Sequence, residues 1–170
     1  DGNYTFNSDV ILADSLFVIA RPGTEINLTE GASFISFAPV FFEGTATNPV
    51  KVYSSDHSAK GFNVLQAQGR STLKNVQFSG ISNLKKGGWQ TPSAVTFYES
   101  DVDIEHCIFA ENSNCDDALN IVRSDFAVNF CIFKNTFADA FDSDFCTGKV
   151  QHCTFKNIGN DAIDFSGSIV

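Results

Sequence analysis

The sequence predicts an all-β protein, a parallel β-helix in which short strands stack coil upon coil. One observation is a repeat: "NCDDALNIVR", "FADAFDSDFC" and "GNDAIDFSGS" share an Asp-Ala-apolar-Asp/Asn motif at a regular spacing, and a period of about 20–25 residues is typical of solenoids. Each period is also rich in Val, Ile, Phe and Thr and is bounded by Asn, Asp, Gly and Ser, which are strand and turn residues. Finally, no segment keeps a helical apolar period, so a helical repeat is not expected.

A second repeated segment places one cysteine and one phenylalanine in each period. The two residue types advance along the sequence by identical steps: Cys107, Cys131 and Cys153; Phe109, Phe133 and Phe155. Equivalent residues of successive coils lie about 4.8 Å apart, so we expect two internal ladders. The ladder thiols should stay reduced, because that spacing is wider than a disulfide prefers. Cys115 and Cys146 occupy other repeat positions and could be free, paired or used between subunits.

The repeats predict about seven coils, each of roughly 22–24 residues, in a single domain that covers the whole chain, 1–170. One period is longer than the others, since the step from Phe78 to Phe109 exceeds the step from Phe109 to Phe133. The segment "SGISNLKKGGWQTPS" (79–93) accounts for the excess, and we expect it to form a loop that projects from the solenoid.

The first part of the chain carries turn motifs of a known group. "PGT" stands at 22–24, and "GT" at 44–45 is followed by "NPV" at 48–50. With the repeats, these motifs make nearly the whole chain resemble the right-handed parallel β-helix, or pectate-lyase-like, superfamily. The resemblance implies a right-handed β-helix and a secreted or cell-surface protein. It does not imply one function, because the superfamily includes lyases, hydrolases, adhesins and phage tailspikes.

Charge and composition exclude several kinds of partner. The net charge is −9 and the pI is about 4.6, whereas nucleic acids and anionic membranes attract basic surfaces. No apolar run approaches the roughly 20 residues that span a bilayer, so we expect no membrane insertion. The sequence contains no Met, even at position 1, which fits a processed, secreted chain.

Aspartates recur in two columns of the repeat. Leu119, Phe141 and Ile163, between the two columns, are expected to point inward, and the alanines before them outward. Stacked like charges repel, and three interpretations remain open: solvated carboxylates that cap turns, Ca²⁺ bridging successive coils, or a catalytic acid cluster. Ca²⁺ is the only cofactor suggested. The first column is Asp117, Asp139 and Asp161, and the second is Asn120, Asp142 and Asp164.

An enzyme would need more than these acids. A lyase requires a base, for which Arg123 is best placed, and a hydrolase requires paired carboxylates, for which Asp142 and Asp164 are the candidates. No catalytic motif is matched, so no catalytic residue is assigned and a non-enzymatic role is favoured. Trp89, the only Trp, could stack on a sugar or fold back onto its own loop.

Histidines do not cluster in the sequence. His106 and His152 share a repeat position with Phe130, and we expect them to pack along a coil rather than to bind a metal.

The ends of the sequence suggest the leading functional hypothesis. A β-helix exposes strand edges and core at both ends unless they are capped, and neither end shows a capping helix. If the sequence is a fragment of a longer chain, the missing coils explain this observation; if it is not, copies can stack on each other. End-to-end stacking of copies, a contact that does not close, would give an extracellular structural fibre. The alternative is a polysaccharide-binding or polysaccharide-degrading module. The expected joint is formed by Val10, Ile11 and Leu12 at one end and by Ile163, Phe165, Ile169 and Val170 at the other.

Overall fold

The computed structural model describes residues 2–170 and confirms an all-β solenoid. Strands of successive coils pair in parallel to form three stacked sheets, here called A, B and C, which the chain visits in that order. Sheets A and B have seven strands each, and sheet C has six, because the last coil adds no strand to it. About seven coils result, as the repeat predicts. The part of the chain that the structure describes contains no helix, and therefore none able to cross a membrane.

The strands are short. Sheet A contains β1 (Asn3–Phe6), β4 (Glu25–Leu28), β7 (Val50–Tyr53), β10 (Val76–Ser79), β15 (Ile108–Ala110), β18 (Ile132–Lys134) and β21 (Thr154–Lys156). Sheet B contains β2 (Val10–Leu12), β5 (Phe34–Ser36), β8 (Phe62–Leu65), β13 (Ser93–Tyr98), β16 (Asp117–Val122), β19 (Asp139–Asp144) and β22 (Ile163–Ser166). Sheet C contains β3 (Val18–Ala20), β6 (Val40–Glu43), β9 (Ser71–Lys74), β14 (Val102–Glu105), β17 (Asp125–Asn129) and β20 (Thr147–Gln151).

The phenylalanine ladder is confirmed and runs along the inside of sheet A. The rings of Phe78, Phe109, Phe133 and Phe155 follow one another with centroids 5.2, 4.9 and 5.0 Å apart and planes within 9° of parallel. Burying a Phe side chain is worth about 1.5–3 kcal/mol. The stacked rings therefore form a large part of the apolar core that holds successive coils together.

The cysteine ladder is also confirmed. All five cysteines are free thiols, and each ladder thiol donates to the backbone carbonyl two residues before it, as Cys107 does to Glu105 O at 3.4 Å. The hydrogen bond with the Cys107 thiol, together with burial, raises the pKa of Cys131 to about 12. Because the thiolate is the reactive form, Cys131 acts as a small core side chain.

Residues at the corners between sheets adopt left-handed backbone conformations that no sequence pattern predicted. Between sheets C and A, His106, Phe130 and His152 have φ of 54°, 54° and 55°, a region that non-glycine residues seldom occupy. Their rings stack with centroids 5.1 and 4.7 Å apart, which confirms that the two histidines pack with Phe130. Between sheets B and C, Phe145 shares this conformation with φ of 55°.

The long period folds back onto the solenoid. Ile81 and Leu84 are buried, and β11 (Lys85–Lys86) pairs with β12 (Trp89–Gln90) in an antiparallel hairpin. The turn is formed by two glycines at 87 and 88 with φ of 57° and 85°, and positive φ at both positions suits a two-residue hairpin turn. An ion pair between Lys86 and Asp9 attaches the hairpin to the first coil.

Candidate functional site

The outer face of sheet B brings most of the predicted site residues together. The strand register aligns two columns of residues along this face, and each column changes from apolar to polar side chains along the solenoid. The first column is Ile11, Ile35, Asn63, Thr96, Asn120, Asp142 and Asp164. The second is Leu65, Tyr98, Val122, Asp144 and Ser166.

The hairpin and this face enclose a cleft of about 540 Å³. Trp89 lines it from the hairpin, and Tyr98, Asn120 and Asp144 line it from the sheet. Trp89 also lines a neighbouring cleft of about 240 Å³ nearer the first coils. Its side chain is 64% exposed, so the indole lies between two clefts and is not enclosed by its own loop.

A carboxylate pair is held by one amide in this cleft region. Asn120 Nδ2 donates to Asp142 Oδ2 at 3.0 Å and to Asp144 Oδ2 at 3.3 Å. The buried atoms Asn120 Oδ1 and Asp142 Oδ1 have no partner. Burial, and then the charges of Asp144 and Asp164, raise the pKa of Asp142 to about 6. A carboxyl group with such a pKa can hold or release a proton near neutral pH.

The first aspartate column lies at the corner where strands of sheet B begin. Asp117 is only 2% exposed, and its Oδ2 has no hydrogen-bond partner. Burial and the neighbouring carboxylates, of which Asp142 has the largest effect, raise the pKa of Asp117 to about 8. Asp139 is satisfied, because its Oδ1 accepts from Asn160 Nδ2 at 2.8 Å and from the backbone N of Asp161 at 2.9 Å. Turn capping, one of the three interpretations of this column, therefore fits Asp139 and not Asp117.

The alanines of the motif were expected to point outward, and this was wrong for Ala118 and Ala140. Leu119 and Phe141 are buried as predicted, but Ala118 and Ala140 belong to the same buried apolar cluster. The ladder pairs Asp117 with Asp139 and Leu119 with Phe141 and has no pair between the two alanines. The alternation of inward and outward side chains therefore begins only after the alanine, because the corner of the coil extends to that residue.

The five aspartates predicted to bind Ca²⁺ separate into neighbouring groups. Carboxylate oxygens of Asp117 and Asp139 lie within 4.8 Å of each other and of Asp116, a residue that the repeat did not single out. Asp142 and Asp164 are paired in register on adjacent strands, and Asp161 is exposed.

Arg123, the predicted base, lies at the edge of the face. Its Nη1 donates to Tyr98 Oη at 3.0 Å and lies 3.6 Å from Glu99 Oε1. Tyr98 and Asp144 were missed by the sequence analysis, although both stand two residues after members of the first column. Strand alternation from Thr96 and Asp142 would have placed them on the same face.

The predicted joint residues lie at the two end coils. Val10 and Leu12 are half-buried and pack against the core, whereas Ile11 is exposed. At the other end Ile163, Phe165, Ile169 and Val170 are exposed. Apolar side chains that continue the inner columns are therefore accessible at both ends of the described solenoid.

No protein-family model, curated protein or solved structure matches this chain. The parallel sheets show the solenoid fold, and a fold of this kind does not determine a function.

Proposed function

We propose that this protein binds a polysaccharide in the cleft between the hairpin and the outer face of sheet B. The observation that carries the proposal is the position of Trp89, which is 64% exposed and lines the cleft opposite Tyr98 and Asn120. Aromatic rings with a polar edge suit surfaces that are apolar on one side and wet on the other. A sugar ring offers such a surface, and amide and carboxylate groups beside it can bond its hydroxyls.

The charges of the cleft favour a neutral polysaccharide. Asp142, Asp144 and Asp164 line up along the open part of the face. Arg123, which donates to Tyr98 of the cleft, also contacts Glu99. An anionic uronate chain would meet like charges, which repel it. We also propose that the protein is related to the pectate-lyase-like superfamily and that it acts outside the cell or at its surface.

We propose binding without cleavage, and hydrolysis is the competing activity. The amide nitrogen of Asn120 donates to Asp142 at 3.0 Å and to Asp144 at 3.3 Å. The distance between the two accepting oxygens is therefore no greater than the sum of these two distances. This upper limit is compatible with the separation of about 5–5.5 Å found in retaining glycosidases. Release of reducing ends from a bound polysaccharide, lost on Asp142→Asn, would establish hydrolysis instead.

Because Trp89 is the only Trp, its fluorescence reports directly on the cleft. The test is a titration of neutral polysaccharides followed by Trp emission and by calorimetry, with Trp89→Ala and Trp89→Phe compared by calorimetry. We expect Trp89→Ala to weaken binding at least tenfold and Trp89→Phe to weaken it less. Phe17→Ala is the matched control, since Phe17 is an exposed aromatic residue of the first coil. Equal binding by wild type and Trp89→Ala would refute the proposal.

Self-association is a second candidate, supported by the register of the end coils. Val10 begins the inner column of sheet B that ends at Ile163, and Leu12 begins the one that ends at Phe165. A second copy stacked on the end would set Ile163 above Val10 and Phe165 above Leu12, so that both apolar columns would continue across the joint. We therefore propose that a second copy of this chain, stacked head to tail, covers each end coil.

Sedimentation velocity and negative-stain electron microscopy test this second candidate. We expect particles that lengthen with concentration, with an axial repeat of about 34 Å from seven coils at strand spacing. Phe165→Lys should prevent the lengthening, while Ser166→Lys, on the outer face of the same strand, should not. A monomer at every concentration would refute the candidate and leave the cleft proposal untouched.

A further inference from the structure

Three carboxylates form a cluster at the corner that precedes β16 and β19, beside the acid column of the cleft. Oxygen atoms of Asp116, Asp117 and Asp139 all lie within 4.8 Å of one another. Asp116 is exposed, while Asp117 and Asp139 are buried. The cluster therefore has one side open to solvent and two ligands held firmly by the solenoid.

The cluster contains a buried oxygen that no protein group satisfies. Asp117 is 2% exposed, and its Oδ2 has no hydrogen-bond partner. An isolated buried charge is costly unless an opposite charge compensates it. Each ion pair among residues 2–170 involves other acids, so no Lys or Arg bridges to this cluster.

We propose that Asp116, Asp117 and Asp139 bind one Ca²⁺ ion, which locks two successive coils of sheet B together. Carboxylate oxygens are the ligands of hard divalent cations, and Ca²⁺–O distances are about 2.3–2.6 Å. Two ligand oxygens of one Ca²⁺ can therefore be about 4.6–5.2 Å apart, which accommodates oxygens within 4.8 Å of one another. We expect weaker binding of Mg²⁺, which requires about 2.0–2.1 Å and near-ideal octahedral geometry.

Only two of the five aspartates predicted to bind Ca²⁺, Asp117 and Asp139, belong to this site, and Asp116 is its third member. Asp161 continues the same column in the last coil but is exposed, and its side chain is not part of the cluster. The ion would join β16 to β19 through ligands from both coils. It does not depend on the proposed polysaccharide binding.

The test uses the full chain after dialysis against EDTA, with CaCl₂ and MgCl₂ titrated separately by calorimetry and the melting temperature measured in parallel. We expect one Ca²⁺ per chain, a higher melting temperature with Ca²⁺ that EDTA reverses, and at least tenfold weaker binding of Mg²⁺. Asp116→Asn changes only an exposed side chain and should weaken Ca²⁺ binding at least tenfold. Asp161→Asn is the matched control and should bind Ca²⁺ like the wild type.

Two results would overturn the proposal: no Ca²⁺ binding by the wild type at millimolar concentration, or the same loss of binding in both Asn variants. Asp117→Asn supplies a second, independent readout, because a neutral amide needs no cation. We expect this variant to melt at least as high as the wild type in EDTA and to gain nothing from Ca²⁺. A further rise of its melting temperature in Ca²⁺ would place the ion elsewhere.

Discussion

Replacing Asp142 by Asn removes one charge from the outer column of sheet B and keeps the shape of the side chain. In the wild type this carboxylate is half-buried beside Asp144 and Asp164, and burial with these two charges raises its pKa from 3.8 to about 6. The amide of Asn120 donates to it at 3.0 Å, and the carbonyl oxygen of an introduced Asn can accept the same bond. The substitution therefore tests the effect of the negative charge alone.

The direction of the effect follows from proton linkage. Because the pKa of Asp142 is higher in the folded chain, the folded state holds this proton more tightly than the unfolded state does. Its contribution to stability is complete below pH 3.8 and is lost as the pH rises to about 6. Each unit corresponds to about 1.36 kcal/mol, which sets an upper limit of about 3 kcal/mol. Solvent screening at this half-buried site reduces the loss to about 1–2 kcal/mol.

The Asn variant does not suffer this loss, so it should be the more stable protein at neutral pH. For a chain of this size, about 1–2 kcal/mol raises the melting temperature by about 2–8 °C. The assay is thermal unfolding followed by circular dichroism between pH 4 and 7.5, in EDTA and moderate salt. Asp14→Asn, at an exposed acid outside this cluster, is the control. A variant that melts below the wild type at pH 7.5, or a difference that does not shrink towards pH 4, would refute the reasoning.

Three further substitutions test the solenoid itself. Phe133→Ala removes a fully buried ring from the middle of the ladder, so denaturant unfolding should show a loss of about 3–5 kcal/mol, against a smaller loss for Phe133→Leu. Phe145→Asn should raise the free energy of unfolding by about 0.5–1 kcal/mol in the same assay, because Asn tolerates the left-handed backbone that the exposed Phe145 occupies. Phe137 does not have a positive φ, so Phe137→Asn should give no such gain. Arg70→Ala removes the partner of three carboxylates, and its cost of about 1 kcal/mol in thermal unfolding should shrink as salt is added.

The repeat predicted the columns well because parallel coils convert sequence spacing directly into contact. Residues one period apart occupy the same position on adjacent strands, so the regular spacing of Cys107 and Phe109 from their equivalents became two ladders. The stacking of His106, Phe130 and His152 followed from the same rule. Contacts of this kind need no knowledge of the tertiary structure beyond the coil itself.

Features that depend on where a corner ends could not be read from spacing. Ala118 and Ala140 were placed outward because alternation was counted from the start of the motif, whereas the ladder resumes only at Leu119. Spacing also hid the difference between Asp117, which is buried with an unpartnered oxygen, and Asp161, which is exposed. Two residues at one repeat position can therefore have opposite environments, because later coils cover only the earlier one.

The hairpin shows why the cleft lies where it does. The outer column of sheet B is apolar in the first coils, at Ile11 and Ile35, and acidic in the last coils. Lys86 pairs with Asp9, far away in the sequence and outside any repeat relation, so the hairpin leans towards the first coils and Trp89 faces Ile11 and Ile35. Covering the apolar residues with the inserted segment removes them from water, which is favourable. Covering the acidic residues without giving them hydrogen-bond partners would destabilise the fold. The inserted segment thus shelters the apolar end of the face and forms the wall of a cleft whose other side carries the carboxylates.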